Sequence, residues 1–392
     1  MRVVIVTESF PPDVNGVAHC TLQTARHLAA RGHEPLVIAP ATAGATTTSR
    51  SSSPPYPGTS GGTDLFASAA PCPVVRVPSV PLPGYSQVRV ALPSRRLTAA
   101  LIDHRPELVH LAGPFVLGVR GMAAAARLGL PTVAVYQTDL AGYARTYLGA
   151  GENTAWRRMR AVHSAADRTL APSTAAVRDL TDHGVERVQL WPRGVDTVRF
   201  RPALRDETLR RRLAPGGEKL VGYVGRLAPE KHVELLAGAC GLPGVRVVVV
   251  GDGPSGASLR AALPGAAFLG RRTGDDLARI VASLDMFVHT GPYETFCQTV
   301  QEAMASGVPV IAPAAGGPLD LVGHGRTGLL VPPRDADAVR AAVGALVADP
   351  ALAAAYGRSG RAMVEGRTWE AVGDQLLGHY DEVLRDRQAV AA

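Results

Sequence analysis

The stretch Gly291-Pro-Tyr-Glu-Thr-Phe-Cys-Gln-Thr-Val-Gln-Glu-Ala-Met-Ala-Ser-Gly-Val-Pro-Val-Ile-Ala312 decides the fold of this chain. An apolar run precedes it, Met286-Phe-Val-His289, and another, Val308 to Ala312, closes it. Short continuous apolar runs of this kind are strands buried on both faces of a parallel sheet. Between them the pattern predicts a loop and a helix of roughly three turns, ended by Gly307 with Pro309 just beyond. Strand, loop, helix, strand is the repeating unit of an α/β domain.

Two carboxylates punctuate this unit. Glu294 falls at the loop-to-helix junction and Glu302 follows on the helix. Were the whole span helical, they would stand about 12 Å apart along the axis. Glu294, Gln298 and Glu302 would then share one face. The amides of Thr295, Phe296, Cys297 and Gln298 would lack helical partners and point at an anion. A carboxylate for one polyol, amides for a phosphate and a carboxylate for a second polyol together suit a nucleotide-sugar. Taken singly, each Glu also reads as a helix-dipole partner or a solvated surface group; the specificity lies in the pair and its setting.

Working outward, Leu220-Val-Gly-Tyr-Val-Gly-Arg-Leu-Ala-Pro-Glu-Lys231 opens another strand-to-helix unit. Arg226 and Lys231 fall at its strand end and helix start, where two cations make an anion site. Val245 to Val250 is a strong strand, followed by Gly251-Asp-Gly-Pro-Ser-Gly256. That string formally satisfies Gly-x-Gly-x-x-Gly, but it follows the second strand of its half; it reads as a tight turn at the ligand edge. Ala267-Phe-Leu-Gly-Arg-Arg272 is a short strand and loop. Asp335-Ala-Asp337, the one Asp-x-Asp, begins a helix and reads as a cap, not a metal site.

The N-terminal half opens with the strand Val3 to Thr7, then a polar loop, a helix from about Val17 to Ala30 and a strand from Pro35 to Ala39. The loop after the first strand lacks Gly-x-Gly-x-x-Gly, which counts against a nicotinamide or flavin enzyme. Gly16, at the helix start, reads either as a turn glycine or as a place where backbone meets phosphate. Ala41 to Pro73, rich in Ser, Thr, Gly and Pro, reads as a mobile loop. His110 lies within a strand and reads as structural. Gln137 and Asp139 follow the strand Pro131 to Tyr136, at the carboxyl edge where open α/β sheets bind ligands. Trp156-Arg-Arg-Met-Arg160 offers a basic helix face, either solvated or turned to a membrane or acceptor.

These strings resemble the retaining glycosyltransferases of family 4, whose fold is GT-B, two Rossmann-like doubly wound domains facing a central cleft. The Glu-x7-Glu pattern carries the resemblance, with Gly316-Gly317-Pro-Leu-Asp320, Gly325-Arg-Thr-Gly-Leu-Leu-Val331 and the Gly-Arg-Leu-x-Pro-Glu-Lys string ending at Lys231. It runs nearly from end to end. Within the family it is closest to actinobacterial GDP-mannose-dependent α-mannosyltransferases, through Ala134-Val-Tyr-Gln-Thr-Asp139, Thr169-Leu-Ala-Pro-Ser-Thr174, Arg193-Gly-Val-Asp196 and Leu376-Leu-Gly-His-Tyr380.

The resemblance implies an acceptor-binding domain over residues 1–197, a nucleotide-sugar domain over 198–371 and a last helix, about 372–392, packed back on the first. It implies that Arg226 and Lys231 grip the diphosphate, that Glu294 contacts the donor sugar and that Glu302 holds the ribose hydroxyls. Gly16, Gly251, Arg271 and the segment Thr295 to Gln298 join the donor contacts. Gln137 joins them too, at a position where many family members have a His that contacts the donor sugar; this chain departs from that pattern. Front-face attack with the departing phosphate taking the acceptor proton is the family's mechanism; Asp139 is the alternative base. The implied reaction is hexosyl transfer, mannose from GDP-mannose to a glycolipid acceptor at the membrane surface, with neither cofactor nor metal. A glycosyltransferase acting on a soluble natural product with another donor is the alternative. A non-catalytic sugar-nucleotide binding protein would not need Arg226, Lys231, Glu294 and Glu302 together.

Composition agrees with this class. With 392 residues the chain is long enough for two or three domains, and its net charge of +7 fits anionic ligands or an anionic membrane surface. No aromatic–basic interleaving points to nucleic acid. Cys20, Cys72, Cys240 and Cys297 form no close pair in sequence, so no disulfide framework is readable. The chain opens on a strand instead of a signal peptide and has no apolar run of membrane-span length. Cytoplasmic residence follows, with peripheral attachment to the inner face of the plasma membrane where the acceptor is a lipid; Tyr85, Arg89, Arg95, Arg96, Arg157, Arg158 and Arg160 are the candidate contacts to that surface.

Overall fold

The apolar runs become two all-parallel sheets. The computed structural model describes residues 1–13, 15–41, 70–82, 85–113, 115–139, 142 and 151–391. Most of the Ser/Thr/Gly/Pro-rich stretch expected to be a mobile loop therefore lies outside the described residues. The described residues divide into two units: one holds those up to 192 together with 369–391, the other 193–368. The division falls at 192/193 and 368/369, where the sequence pointed to 197/198 and 371/372.

The first unit contains β1 (Arg2–Val6), β2 (Glu34–Pro40), β3 (Val74–Val77), β4 (Ser79–Leu82), β5 (Tyr85–Ala91), β6 (Leu108–Leu111), β7 (Thr132–Val135), β8 (Arg168–Ala171) and β9 (Val188–Leu190). Seven of these form a sheet in the order β3-β2-β1-β6-β7-β8-β9, and β4 and β5 pair as an antiparallel hairpin. Val3 to Val6 are fully buried, as strands covered by helices on both faces must be. The helix Gly16–Ala30 starts at Asn15, whose side chain accepts from the Ala18 amide.

The final helix, Trp369–Ala391, belongs to this same unit. Polar contacts buried within apolar packing hold it. Tyr380 Oη lies 2.7 Å from His110 Nδ1, and Trp191 Nε1 donates to the Val372 carbonyl at 2.9 Å. Burial pushes the His110 pKa down to about 3, so the ring is neutral and structural. At the helix edge, Asp374 pairs with His27 at 3.0 Å and Arg387 with Asp167 at 2.7 Å.

The second unit contains β10 (Lys219–Val224), β11 (Val245–Val250), β12 (Ala267–Gly270), β13 (Met286–Val288), β14 (Val310–Pro313) and β15 (Gly328–Val331). Their order is β12-β11-β10-β13-β14-β15. This is the doubly wound arrangement, and its order reverses between β10 and β13. In open α/β sheets the loops leaving such a pair of strands are where ligands bind. Asp335 accepts from the Ala338 amide at 2.8 Å and caps the helix Ala336–Ala348.

Candidate active site

The deciding stretch folds differently from its expected helix. The helix is Gln298–Ala305, eight residues, and Glu294 lies in the loop ahead of it. Cys297 is the reason: its φ of 80° and ψ of 71° are left-handed, so the turn before Gln298 cannot be helical. Glu294, Gln298 and Glu302 thus do not share one helical face, and only Gln298 among the four expected amides opens the helix. The Gly317 amide donates to the Glu294 carbonyl at 2.7 Å and holds the loop in this form. A Cβ on Gly317 would sit 2.3 Å from the Phe296 carbonyl oxygen, so the Gly316-Gly317 pair permits that approach.

The loop brings Glu294 to the cations of the β10 loop. Lys231 Nζ lies 2.5 Å from Glu294 Oε1. His289, the first residue past β13, has Nε2 at 3.5 Å from the same oxygen and 3.1 Å from the Gly291 carbonyl. Burial pushes the Glu294 carboxyl up, but the Lys231 charge and the His289 contact outweigh it and hold it well below the usual carboxylate range. Burial disfavours a charged His289, yet its neighbours Cys297 and Glu294 raise its pKa to about 10. Thr290 Oγ1 donates to the Lys231 carbonyl at 2.6 Å and ties the two loops together. Arg226, at the end of β10, pairs with the buried Glu230.

Glu302 lies on the helix and is 7% exposed. Burial pushes its carboxyl up to about 8, with Gln298 only partly offsetting this. Gln298 Nε2 donates to the Gly194 carbonyl at 3.0 Å, so the helix start leans on the Arg193-Gly-Val-Asp196 segment. Asp196 raises the Glu302 pKa further, and Arg199 lowers it.

The other expected contacts are spread more widely. Phe296 is buried in the apolar core of the second unit, and Thr295 is half-buried in the loop. Gly251, at the end of β11, has φ 148°, and a Cβ there would lie 1.8 Å from the Gly225 carbonyl oxygen. Close backbone packing against the Arg226 loop therefore requires this glycine. Arg271 is exposed after β12.

In the first unit, Gly16 is exposed at the start of its helix. Gln137 is buried and its amide donates to the Ala112 carbonyl at 2.9 Å. Asp139 Oδ1 accepts from the Gly142 amide at 2.8 Å. Among the basic candidates for a membrane face, Arg89 is otherwise engaged: it donates to Ser79 Oγ at 2.8 Å and to the Ser79 carbonyl at 2.9 Å, closing the β4–β5 hairpin.

Three residues escaped the sequence reading. His289 stands at a strand's carboxyl end, a position that marks ligand-edge residues. Glu230 stands inside the Gly-Arg-Leu-x-Pro-Glu-Lys string. Glu8, just past β1, accepts from the Leu117 and Gly118 amides, and burial pushes its carboxyl up to about 7.

The Lys231–Glu294 pair joins the loops that follow β10 and β13, at the switch point of a doubly wound sheet, where such sheets bind their ligands. Residues 14–199 match the model for Glycosyltransferase Family 4, and residues 205–363 match Glycosyl transferases group 1. The chain is 47% identical to the GDP-mannose-dependent alpha-mannosyltransferase of Mycobacterium tuberculosis, covering all of this chain and 99% of that one. It is 48% identical to the protein of the same name from Mycolicibacterium smegmatis, over the full length of both. The Anabaena protein HepE, solved in complex with UDP, superposes with a TM-score of 0.77 at 21% identity, covering 97% of this chain and all of that one. The chain belongs to glycosyltransferase family 4 and has the GT-B fold. It is a hexosyltransferase.

Proposed function

We propose that this enzyme transfers mannose from GDP-mannose, with retention, to a glycolipid or related glycoside acceptor at an anionic membrane surface. The observation that carries the donor half is the Lys231–Glu294 pair at the β10/β13 switch point, in a chain nearly half identical over its whole length to enzymes bearing that name. The sugar leaves as its anomeric carbon–oxygen bond to the diphosphate breaks, and negative charge grows on the departing phosphate. Arg226 and Lys231 stabilise that charge, since fixed cations aimed at developing charge act more strongly in a transition state than in the ground state. Glu294 accepts hydrogen bonds from donor sugar hydroxyls, and Glu302 does the same for the ribose. The acceptor hydroxyl attacks the face the phosphate is leaving and gives its proton to that phosphate oxygen. No second carboxylate is assigned as a covalent nucleophile, and no divalent ion is required.

Each cation is held by a carboxylate before substrate arrives, Arg226 by Glu230 and Lys231 by Glu294. The diphosphate must share or displace those partners, so the cations are positioned in advance. A lipid acceptor places the enzyme at a bilayer, and no single helix among the described residues is long and apolar enough to cross one. Exposed Arg95, Arg96, Arg157, Arg158 and Arg160 supply basic contacts to such a surface. The deciding test is a panel of GDP- and UDP-sugars with octyl α-mannoside and with soluble glycosides, read by product mass. Transfer of a hexose from GDP-mannose is expected. Use of UDP-sugars alone, on soluble glycosides alone, would overturn the reading.

A further inference from the structure

His289, Glu294 and Cys297 place an imidazole nitrogen, a carboxylate oxygen and a thiol sulfur all within 4.8 Å of one another. His289 and Cys297 are 3% and 4% exposed, so both side chains are held by packing. A second observation concerns the imidazole itself. His289 Nδ1 is buried and has no hydrogen-bond partner among the described residues. A buried ring nitrogen in that state costs free energy that a bound ligand would recover. The backbone adds a third: Cys297 occupies left-handed space at φ 80°, which is strained for a side-chain-bearing residue, and its sulfur lies 3.9 Å from Thr299 Oγ1.

We propose that these three residues form a site for a thiophilic divalent cation, with Zn2+ as the probe, and that the metal inhibits the enzyme by taking the donor-sugar carboxylate. Tetrahedral zinc holds N, O and S donors at about 2.0–2.3 Å, so its donor atoms stand about 3.3–3.8 Å apart. The cluster needs only a closure of about 1 Å, within the reach of side-chain rotation. Three protein donors leave a fourth position for water. A sulfur and a nitrogen donor select zinc or cadmium over magnesium, which prefers oxygen. Glu294, the most exposed of the three, is the route of entry. Binding replaces the thiol proton, and any proton the imidazole carries passes to solvent.

Lys231 is the built-in competitor. Its ammonium lies 2.5 Å from Glu294 Oε1, so a metal can take that oxygen only by displacing it. This gives the proposal a sign that a general stickiness for zinc would lack. Because it deepens the reading of Glu294 as the donor-sugar contact, the test measures metal binding directly as well as activity.

Isothermal titration of the full chain with ZnCl2, after chelator treatment and removal, is the experiment. One zinc per chain is expected, weakened at least tenfold in Cys297→Ser and in His289→Gln. Lys231→Met should bind zinc at least threefold tighter, although it weakens GDP. Zinc and GDP-mannose should oppose each other reciprocally, and MgCl2 should give no heat of binding at the same concentration. Cys297→Ala, with an unchanged thermal midpoint in EDTA, controls for a folding defect in the serine variant. Zinc affinity unaltered by both cysteine substitutions, or weakened by Lys231→Met, overturns the site. If zinc binds as stated but no sugar is transferred from any donor, the metal site stands and the transfer reading fails. If mannose is transferred and zinc does not bind, the reverse holds.

Discussion

Lys231 and Glu294 neutralise one another at 2.5 Å, so each substitution exposes the other's charge. Arg226→Ala and Lys231→Ala should each lower turnover at least tenfold, about 1.4 kcal/mol or more of transition-state stabilisation. Steady-state kinetics at saturating donor checks this; turnover unchanged in both would remove these cations from the diphosphate. The two glutamates should separate by ligand. Glu302→Ala should weaken free GDP as well as GDP-mannose, whereas Glu294→Ala should leave GDP nearly as in the wild type and impair sugar transfer. Calorimetry with GDP decides, and equal losses refute the division. The buried Glu302 also gives a pH signature. Its folded-state pKa is raised from the ordinary 4.5 to about 8, so its contribution to stability is full below the unfolded value and is lost as pH rises through the folded one. Between pH 4.5 and 8 the folded state binds the extra proton, and the unliganded protein loses stability along that window. Glu302→Gln, which cannot ionise, should have a higher thermal midpoint than wild type at pH 9, with the gap closing by pH 5. A constant gap across that range would place the carboxyl in a more polar environment.

At the scale of elements, two features set the geometry. The left-handed Cys297 shortens the helix to Gln298–Ala305 and leaves Glu294 in a loop where it meets Lys231. The helix Trp369–Ala391 is pinned to the first unit by Tyr380 on His110 and by Trp191 on the Val372 carbonyl. Tyr380→Phe keeps the ring packing but strips the buried histidine of its partner, which should cost about 1–3 kcal/mol. A fall of the thermal midpoint is the readout, and a neutral result would mean that His110 finds another partner. Much of the element order was legible because parallel strands are continuous apolar runs and helices have their own period. The helix start was not. Nothing in Glu-Thr-Phe-Cys-Gln announces a left-handed cysteine, which contacts from Gly317 and the packing of Phe296 impose from outside the segment.

At the scale of the whole molecule, the proposed attachment to an anionic bilayer would draw on the exposed arginines of a chain of net charge +7, each worth about 1 kcal/mol near such a surface and less as salt rises. Co-sedimentation with phosphatidylserine-containing liposomes should be strong at low salt and fall at high salt. Indifference to anionic liposomes even at low salt would favour a soluble acceptor. Arg89, expected among these contacts, is committed to Ser79 and should matter little to liposome binding. Catalysis by Arg226 and Lys231 in place of a divalent ion should survive EDTA; a loss of activity restored by manganese or magnesium would contradict that role.

The sequence by itself determined the two parallel α/β arrangements and the family, because strand burial and motif spacing are local properties of the chain. Tertiary structure alone decided who meets whom. Lys231 and Glu294 belong to loops from different strands, and only the order reversal between β10 and β13 brings their charges together. His289 joined them for the same reason, since a strand-end residue acquires partners only when the next loop folds back over it. Charge states followed: burial sets Glu302 high and a neighbouring ammonium sets Glu294 low, though in sequence both are simply glutamates.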